Sequence, residues 1–206
     1  NALKNNKPLI IPGTINAYSA KLAELANHNS IYLSGSGVAA ASYGLPDLGV
    51  TTLENVLIDA KRITSATSLP LLVDIDTGWG DFDAISNTII EMGNANVAAV
   101  HIEDQIFDKR CGHRPNKQLV SIDEMQDRLK AALDAKIDDS FFIMARTDAL
   151  ASEGIEKAIE RCGKYLDVGA DGIFFEAAVS IEEYKEFKNN FSAPLLANIT
   201  EFGKTP

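Results

Sequence analysis

A cysteine set among cations is where chemistry first shows in this chain: Lys109-Arg110-Cys111-Gly112-His113-Arg114, just beyond the strand-like run Val100-His101-Ile102-Glu103-Asp104. A thiol of ordinary pKa, about 8.5, is mostly protonated at neutral pH, and neighbouring Lys, Arg or His⁺ stabilises its thiolate. Such a group can donate a proton and persist as the anion. Asp74-Ile75-Asp76 places two acids at i and i+2, which on a strand projects both carboxylates from one face. On the inner face of a barrel they repel each other unless a cation lies between them, and Mg²⁺ suits an all-oxygen site of this kind. The plainer alternative is a solvated strand end, or an N-cap for the next helix.

His101 and Glu103 repeat the phase on the following strand, so Glu103 could support the ion through its waters. His101 reads equally as an orienting group or a hydrogen-bonded core histidine. Arg146 closes the apolar run Phe141-Phe142-Ile143-Met144-Ala145, and a buried guanidinium must find an anion. Asp148 or Glu176 would serve structurally, and a substrate carboxylate functionally. Ser34-Gly35-Ser36-Gly37 lets backbone N–H groups approach an anion. It also reads as Gly35-x-Gly37-x-x-Ala40, a relaxed dinucleotide fingerprint without the acid expected about 20 residues on. Trp79, between Gly78 and Gly80, is either a site wall or packing.

These residues need a scaffold that brings strand ends together. Strand-like runs recur at 8–15, 30–34, 69–76, 98–103, 141–147, 172–176 and 194–200, with helical periodicity in most of the gaps. Thr51 with Glu54, Ser121 with Glu124 and Ser180 with Glu183 match capping boxes. Gly93 and Gly169 read as left-handed helix caps. Strand and helix in alternation predict parallel βα units, and polar residues at nearly every strand end favour a (β/α)8 TIM-type barrel over an open doubly wound sheet. The runs make seven strands where eight are needed. One catalytic barrel domain over 1–206 is expected, continuing past Pro206 with at least one more strand and helices.

The 206 residues, 46% hydrophobic with a net charge of −10, suffice for one core and disfavour nucleic acid or anionic membrane as a partner. No apolar run approaches the roughly 20 residues of a membrane span, and the first residues lack a signal-peptide core, so a cytoplasmic protein is expected. Of the two cysteines, Cys162 fits the apolar phase of Ile155, Ala158, Ile159 and Leu166, so it reads as core. Cys111 has no such phase.

Taken together, Tyr32-Leu33-Ser34-Gly35, Gly44-Leu45-Pro46-Asp47-Leu48-Gly49, Val73-Asp74-Ile75-Asp76, His101-Ile102-Glu103-Asp104-Gln105, Lys109-Arg110-Cys111-Gly112-His113, Ala145-Arg146-Thr147-Asp148-Ala149 and Asn198-Ile199-Thr200-Glu201-Phe202-Gly203 resemble the isocitrate lyase and phosphoenolpyruvate mutase superfamily, over 11–206. The resemblance implies a (β/α)8 barrel, Mg²⁺, and a homotetramer with exchanged C-terminal helices. It assigns the metal to Asp74 and Asp76, with Asp47 and Glu103 reaching it through water. It assigns substrate contacts to Ser34, Gly35, Ser36, Cys111, Gly112, Arg146, Glu176, Asn198, Ile199 and Thr200, with two further arginines beyond Pro206.

Lys-Arg before the cysteine, where isocitrate-cleaving members usually carry Lys-Lys, points to the branch that cleaves 2-methylisocitrate. Phe174, in Phe174-Phe175-Glu176-Ala177, stands where those members place Trp and leaves room for an extra methyl. Ser36 departs from the usual Gly. The implied reaction is a retro-aldol (Claisen-like) cleavage of a small tricarboxylate to pyruvate and succinate, in propionate catabolism by the methylcitrate cycle. In it Cys111 protonates the succinate enolate, Arg146 stabilises the developing charge, and His113 and Glu176 tune the thiol. Asp47, Tyr32 or a metal-bound water would take the hydroxyl proton, and the 109–117 segment would close as a lid. The nearest rival is isocitrate cleavage to glyoxylate and succinate. Phosphonopyruvate or oxaloacetate chemistry is disfavoured by the cysteine loop, and a non-catalytic dinucleotide-binding domain is the reading from another class.

Overall fold

The computed structural model describes residues 2–107, 117–199 and 205. Among the described residues six parallel strands form one sheet: β1 (Ile31–Leu33), β2 (Leu71–Asp74), β3 (Ala99–Glu103), β4 (Phe142–Thr147), β5 (Gly172–Phe175) and β6 (Leu195–Leu196). Their spatial order, β1-β2-β3-β4-β5-β6, is the chain order. A doubly wound sheet would reverse direction at a switch point, whereas unbroken succession is the wall of a βα-barrel. The helices are α1 (Ala2–Asn5), α2 (Ala17–Leu25), the single turn α3 (Gly35–Gly37), α4 (Leu53–Ala66), α5 (Phe82–Asn94), α6 (Ile122–Asp134), α7 (Leu150–Glu153), α8 (Ile155–Val168) and α9 (Ile181–Asn190). A π-helical turn, Val38–Ser42, follows α3.

Strands read as apolar runs because they are covered on both faces: all four residues of β2 and all four of β5 are buried. Val56 and Ile63 of α4, Ile85, Ile89 and Met92 of α5, Met125 and Leu129 of α6, Tyr165 of α8 and Phe187 of α9 join the same core. Cys162 lies within it, fully buried, and burial pushes its thiol pKa well up, so it is inert packing. No helix of the described residues is long and apolar enough to cross a membrane.

The expected run at 8–15 is not a strand of the sheet. It touches β1 through one bridge, Gly13 to Tyr32, with Thr14 N–H donating to the Tyr32 carbonyl at 2.7 Å and Tyr32 N–H to that of Pro12 at 3.0 Å. Pro8 and Pro12 have no N–H to extend a ladder. Of the capping boxes, Ser180 with Glu183 forms in full. Ser121 accepts from Glu124 N–H at 3.1 Å, while the Glu124 carboxylate turns to Arg128 at 2.7 Å. The α4 box shifts by one residue to Thr52 and Asn55, because Thr51 is buried and its carbonyl accepts the Trp79 indole N–H at 2.9 Å. That bond and its contact with the core settle Trp79 as packing. Gly169 is the left-handed cap of α8, at φ +118. Gly93 is not a cap: it lies inside α5, where a Cβ would sit 2.8 Å from Ile137 Cδ1, and Asn96 takes the left-handed turn at φ +58.

Between β3 and α6 the chain folds into a stem. Ile106 N–H donates to the Gln118 carbonyl at 3.0 Å and Val120 N–H to that of Asp104 at 2.9 Å, beside an antiparallel bridge between Gln105 and Leu119. Arg128 of α6 donates to the Gln105 carbonyl at 2.9 Å, and Arg161 of α8 to that of Val120 at 3.0 Å. Each limb of the stem is thus held by an arginine from a neighbouring helix.

Candidate active site

Because all six strands run parallel, their carboxyl ends gather the polar residues on one rim. Asp74 ends β2, Glu103 ends β3, Arg146 lies near the end of β4, Glu176 follows β5 and Asn198 follows β6. Asp74, Asp76 and Glu103 are buried, and each offers an oxygen within 4.8 Å of the others. The i, i+2 phase is only part of the reason. β2 stops at Asp74, and Asp76 adopts the left-handed conformation at φ +48, its N–H donating to Asp74 Oδ1 at 3.0 Å. The turn swings the second carboxylate back to the first. Gly35 N–H donates to Asp74 Oδ2 at 3.3 Å, and a Cβ at Gly35 would stand 3.2 Å from Asp74 Oδ2 and 3.3 Å from Asp76 Oδ1. Glycine keeps that approach open.

Three buried carboxylates this close repel strongly unless a cation compensates them. The site therefore fits a hard divalent ion with oxygen ligands, held by Asp74, Asp76 and Glu103. Asp47, half-buried in the loop before α4, is not a member of that triad. The acid pair also accounts for the glycines: a dinucleotide pyrophosphate laid on Gly35 would face Asp74 and Asp76, so the fingerprint does not describe a nucleotide cradle.

His101, fully buried, bridges the triad to β1. The Tyr32 hydroxyl lies 3.0 Å from His101 Nε2, and His101 Nδ1 lies 3.6 Å from Asp74 Oδ1. Burial first, then the Asp74 charge, push the Tyr32 pKa well above its ordinary value. The Tyr32 hydroxyl and His101 Nε2 thus share a hydrogen bond, with the other ring nitrogen facing Asp74. His101 is thus a fully buried, hydrogen-bonded histidine placed beside Asp74.

Arg146 meets its anions as expected and more. Its Nε donates to Asp148 Oδ2 at 3.0 Å and its Nη2 to Asp148 Oδ1 at 3.2 Å. Glu103 lies 3.3 Å away and Glu176 4.0 Å. Burial alone would favour loss of its proton, but the Asp148, Glu103 and Glu176 charges outweigh that and hold it as guanidinium. The Phe174 ring lies beneath, 5.0 Å from the guanidinium carbon and edge-on to His101 with centroids 4.9 Å apart. Asn198 Nδ2 donates to Glu176 Oε2 at 3.4 Å, and the Ser34 and Ser36 hydroxyls pair at 2.8 Å. Ile199 is 67% exposed. Cys111, Gly112, His113 and Thr200 lie outside the described residues.

Sequence reasoning passed over the layer behind these groups. Asp104 accepts from the Thr147 hydroxyl at 2.8 Å, the Tyr165 hydroxyl at 2.9 Å and Asp148 N–H at 3.0 Å. Lys117 Nζ donates to Asp148 Oδ1 at 2.9 Å. Burial opposes the Asp148 charge, yet Arg146 and Lys117 prevail and bring its pKa down to about 2 from 3.8. A depressed carboxyl contributes stability that is complete above its unfolded value and lost as pH falls through the folded one. Between about pH 5 and pH 2 that loss should approach roughly 2 kcal/mol. Urea denaturation across that range checks it: Asp148→Asn should flatten the slope, and a slope equal to wild type would discount the Asp148 charge.

A family model described as phosphoenolpyruvate phosphomutase matches residues 1–205. The chain belongs to the phosphoenolpyruvate phosphomutase family. Among relatives of this phosphomutase-family chain, the 2-methylisocitrate lyase of Shewanella oneidensis is 61% identical over 204 residues, 99% of this chain and 70% of that protein. The 2-methylisocitrate lyase of Escherichia coli K12 is 55% identical over 207 residues, 100% of this chain and 70% of that protein. A crystal structure of 2,3-dimethylmalate lyase, of the phosphoenolpyruvate mutase and isocitrate lyase superfamily, superposes with TM-score 0.94 at 37% identity, covering 100% of this chain and 70% of that one. Phosphonopyruvate hydrolase in complex with oxalate and Mg²⁺ superposes with TM-score 0.80 at 32% identity, covering 90% and 65%. The sheet of consecutive parallel strands is thus the barrel wall of this family.

Proposed function

We propose that this chain is the catalytic barrel domain of a 2-methylisocitrate lyase, cleaving a carbon–carbon bond to give pyruvate and succinate. The observation that carries the reading is the buried acid triad of Asp74, Asp76 and Glu103 set against Arg146, on a chain 61% identical to a protein of that name. Asp74 and Asp76 would hold Mg²⁺, with Asp47 and Glu103 contributing through water. When bound, the ion lowers the cost of the alkoxide that becomes the pyruvate ketone.

The residues of the chain do the rest. Ser34, Gly35 and Ser36 receive one end of the substrate, and Arg146, Gly112, Asn198, Ile199 and Thr200 the carboxylates of the other. Arg146, kept cationic by its carboxylate neighbours, offsets charge growing on the succinate fragment. Cys111 hands its proton to the carbon of that fragment, with His113 and Glu176 setting how tightly the thiol holds it. Tyr32 stays protonated, which leaves Asp47 or a water to take the hydroxyl proton. We place the enzyme in the cytoplasm as a homotetramer with exchanged C-terminal helices, acting in propionate catabolism by the methylcitrate cycle.

A coupled assay of the Mg²⁺-loaded full-length enzyme tests this on 2-methylisocitrate and isocitrate, with and without chelator. Pyruvate release should exceed glyoxylate release and should stop with chelator. Faster glyoxylate release would move the chain to the isocitrate-cleaving branch. Phe174, 2% exposed beneath Arg146, sets the room available at that end. One methyl is worth about 1–3 kcal/mol, so Phe174→Trp should cut the preference for 2-methylisocitrate roughly tenfold or more. An unchanged ratio would remove Phe174 from substrate selection.

A further inference from the structure

Asp148 is served by two buried cations where one would satisfy it. Arg146 already engages both of its oxygens, at 3.0 and 3.2 Å, and Lys117 adds a second donor to the same Oδ1 at 2.9 Å. Asp148 is fully buried and Lys117 only 8% exposed. Taking an ammonium out of water is costly, and the pairing of Arg146 with Asp148 is neutral without it. Lys117 is not there by accident of a mobile side chain, since its backbone leaves the stem that pairs Gln118 with Ile106.

The arrangement matters for charge. Arg146 and Asp148 alone form a closed neutral pair facing two more carboxylates, Glu103 at 3.3 Å and Glu176 at 4.0 Å. Without Lys117 these four groups carry a net charge of −2, and with it the five carry −1. We propose that Lys117 is a positioning residue for substrate capture: by sharing Asp148 with Arg146, it reduces the negative charge that a substrate carboxylate meets at the guanidinium. This rests on the reading above, in which Arg146 receives such a carboxylate. Lys117 itself touches Asp148 and acts through Arg146.

Arg146 meets a carboxylate in the bound substrate and offsets further charge in the transition state, so weakening it raises KM and also lowers kcat. In the full-length enzyme with saturating Mg²⁺, Lys117→Met should raise KM for 2-methylisocitrate at least tenfold, with a smaller fall in kcat. Inhibition by succinate should weaken by the same factor. Lys117→Gln keeps a hydrogen bond to Asp148 without the charge, and it should show the same KM effect. Lys117→Arg should restore KM to within threefold of wild type. A KM and a succinate inhibition constant unchanged in both neutral variants would overturn the proposal. So would a fall in kcat alone that tracks a lowered melting temperature, which is what a merely structural lysine gives. If Lys117→Met does not fold, the Gln variant decides. If the wild type releases no pyruvate, the lyase reading fails separately. Calorimetric titration of succinate into wild type and Lys117→Gln then decides the role of Lys117: weaker binding to the variant supports it, and equal binding overturns it.

Discussion

Without divalent ion, Asp76→Asn should melt at a higher temperature than the wild-type protein, and with ion it should be inactive. Asp74, Asp76 and Glu103 crowd three buried carboxylates within 4.8 Å of one another. Removing one charge relieves repulsion that no solvent screens. Asparagine is the replacement that isolates the charge. It matches aspartate in shape, and it tolerates the left-handed backbone at φ +48, where alanine would add strain. Relief of about 1–2 kcal/mol corresponds to roughly 2–8 °C in a domain of this size.

Mg²⁺ should reverse the ranking. Bound at a hundred times its dissociation constant it stabilises the wild type by about 2.7 kcal/mol, and a variant that cannot bind it gains nothing. Turnover in Asp76→Asn should fall roughly a thousandfold or more, since the site loses both the ion and the alkoxide stabilisation it supplies. Scanning calorimetry with chelator and with excess Mg²⁺ checks both halves. An apo melting temperature at or below wild type would mean that the triad is already neutralised by its own protein neighbours.

Cys111→Ser should abolish turnover while leaving substrate binding nearly intact. Serine has almost the size of cysteine but holds its proton far more tightly, so it cannot protonate carbon on the time scale of turnover. Loss of a general acid costs typically 10² to 10⁴ in rate, and the upper part of that range is expected where the alternative is water excluded from the site. Single-turnover measurement of pyruvate release beside calorimetric binding of 2-methylisocitrate separates the two effects. Near-normal cleavage by Cys111→Ser would remove the thiol from the reaction.

The acids were legible in the sequence because spacing brings them near one another: His101 and Glu103 share a strand in phase, and Asp76 lies two residues past the strand end at Asp74. The device was not legible. A left-handed residue after the strand closes the pair, and a one-letter string does not encode φ at aspartate. Alternation of strand and helix predicted the parallel sheet, whereas the 8–15 run misled because its apolar residues are strand-like while its prolines lack donors. Lys117, Asp104 and Tyr165 escaped notice for a topological reason. Lys117 meets Asp148 across a separation of 31 residues and Tyr165 meets Asp104 across 61, so no local pattern announces either pair. The cysteine loop was read from its composition and its resemblance to a family, and both stand apart from strand geometry.

The stem after β3 is fastened at both limbs by the main chain. Arg128 and Arg161 grip the carbonyls of Gln105 and Val120, groups that every amino acid possesses. The scaffold therefore grips both limbs by the main chain, while Asp104 and Lys117 add side-chain bonds to Thr147, Tyr165 and Asp148.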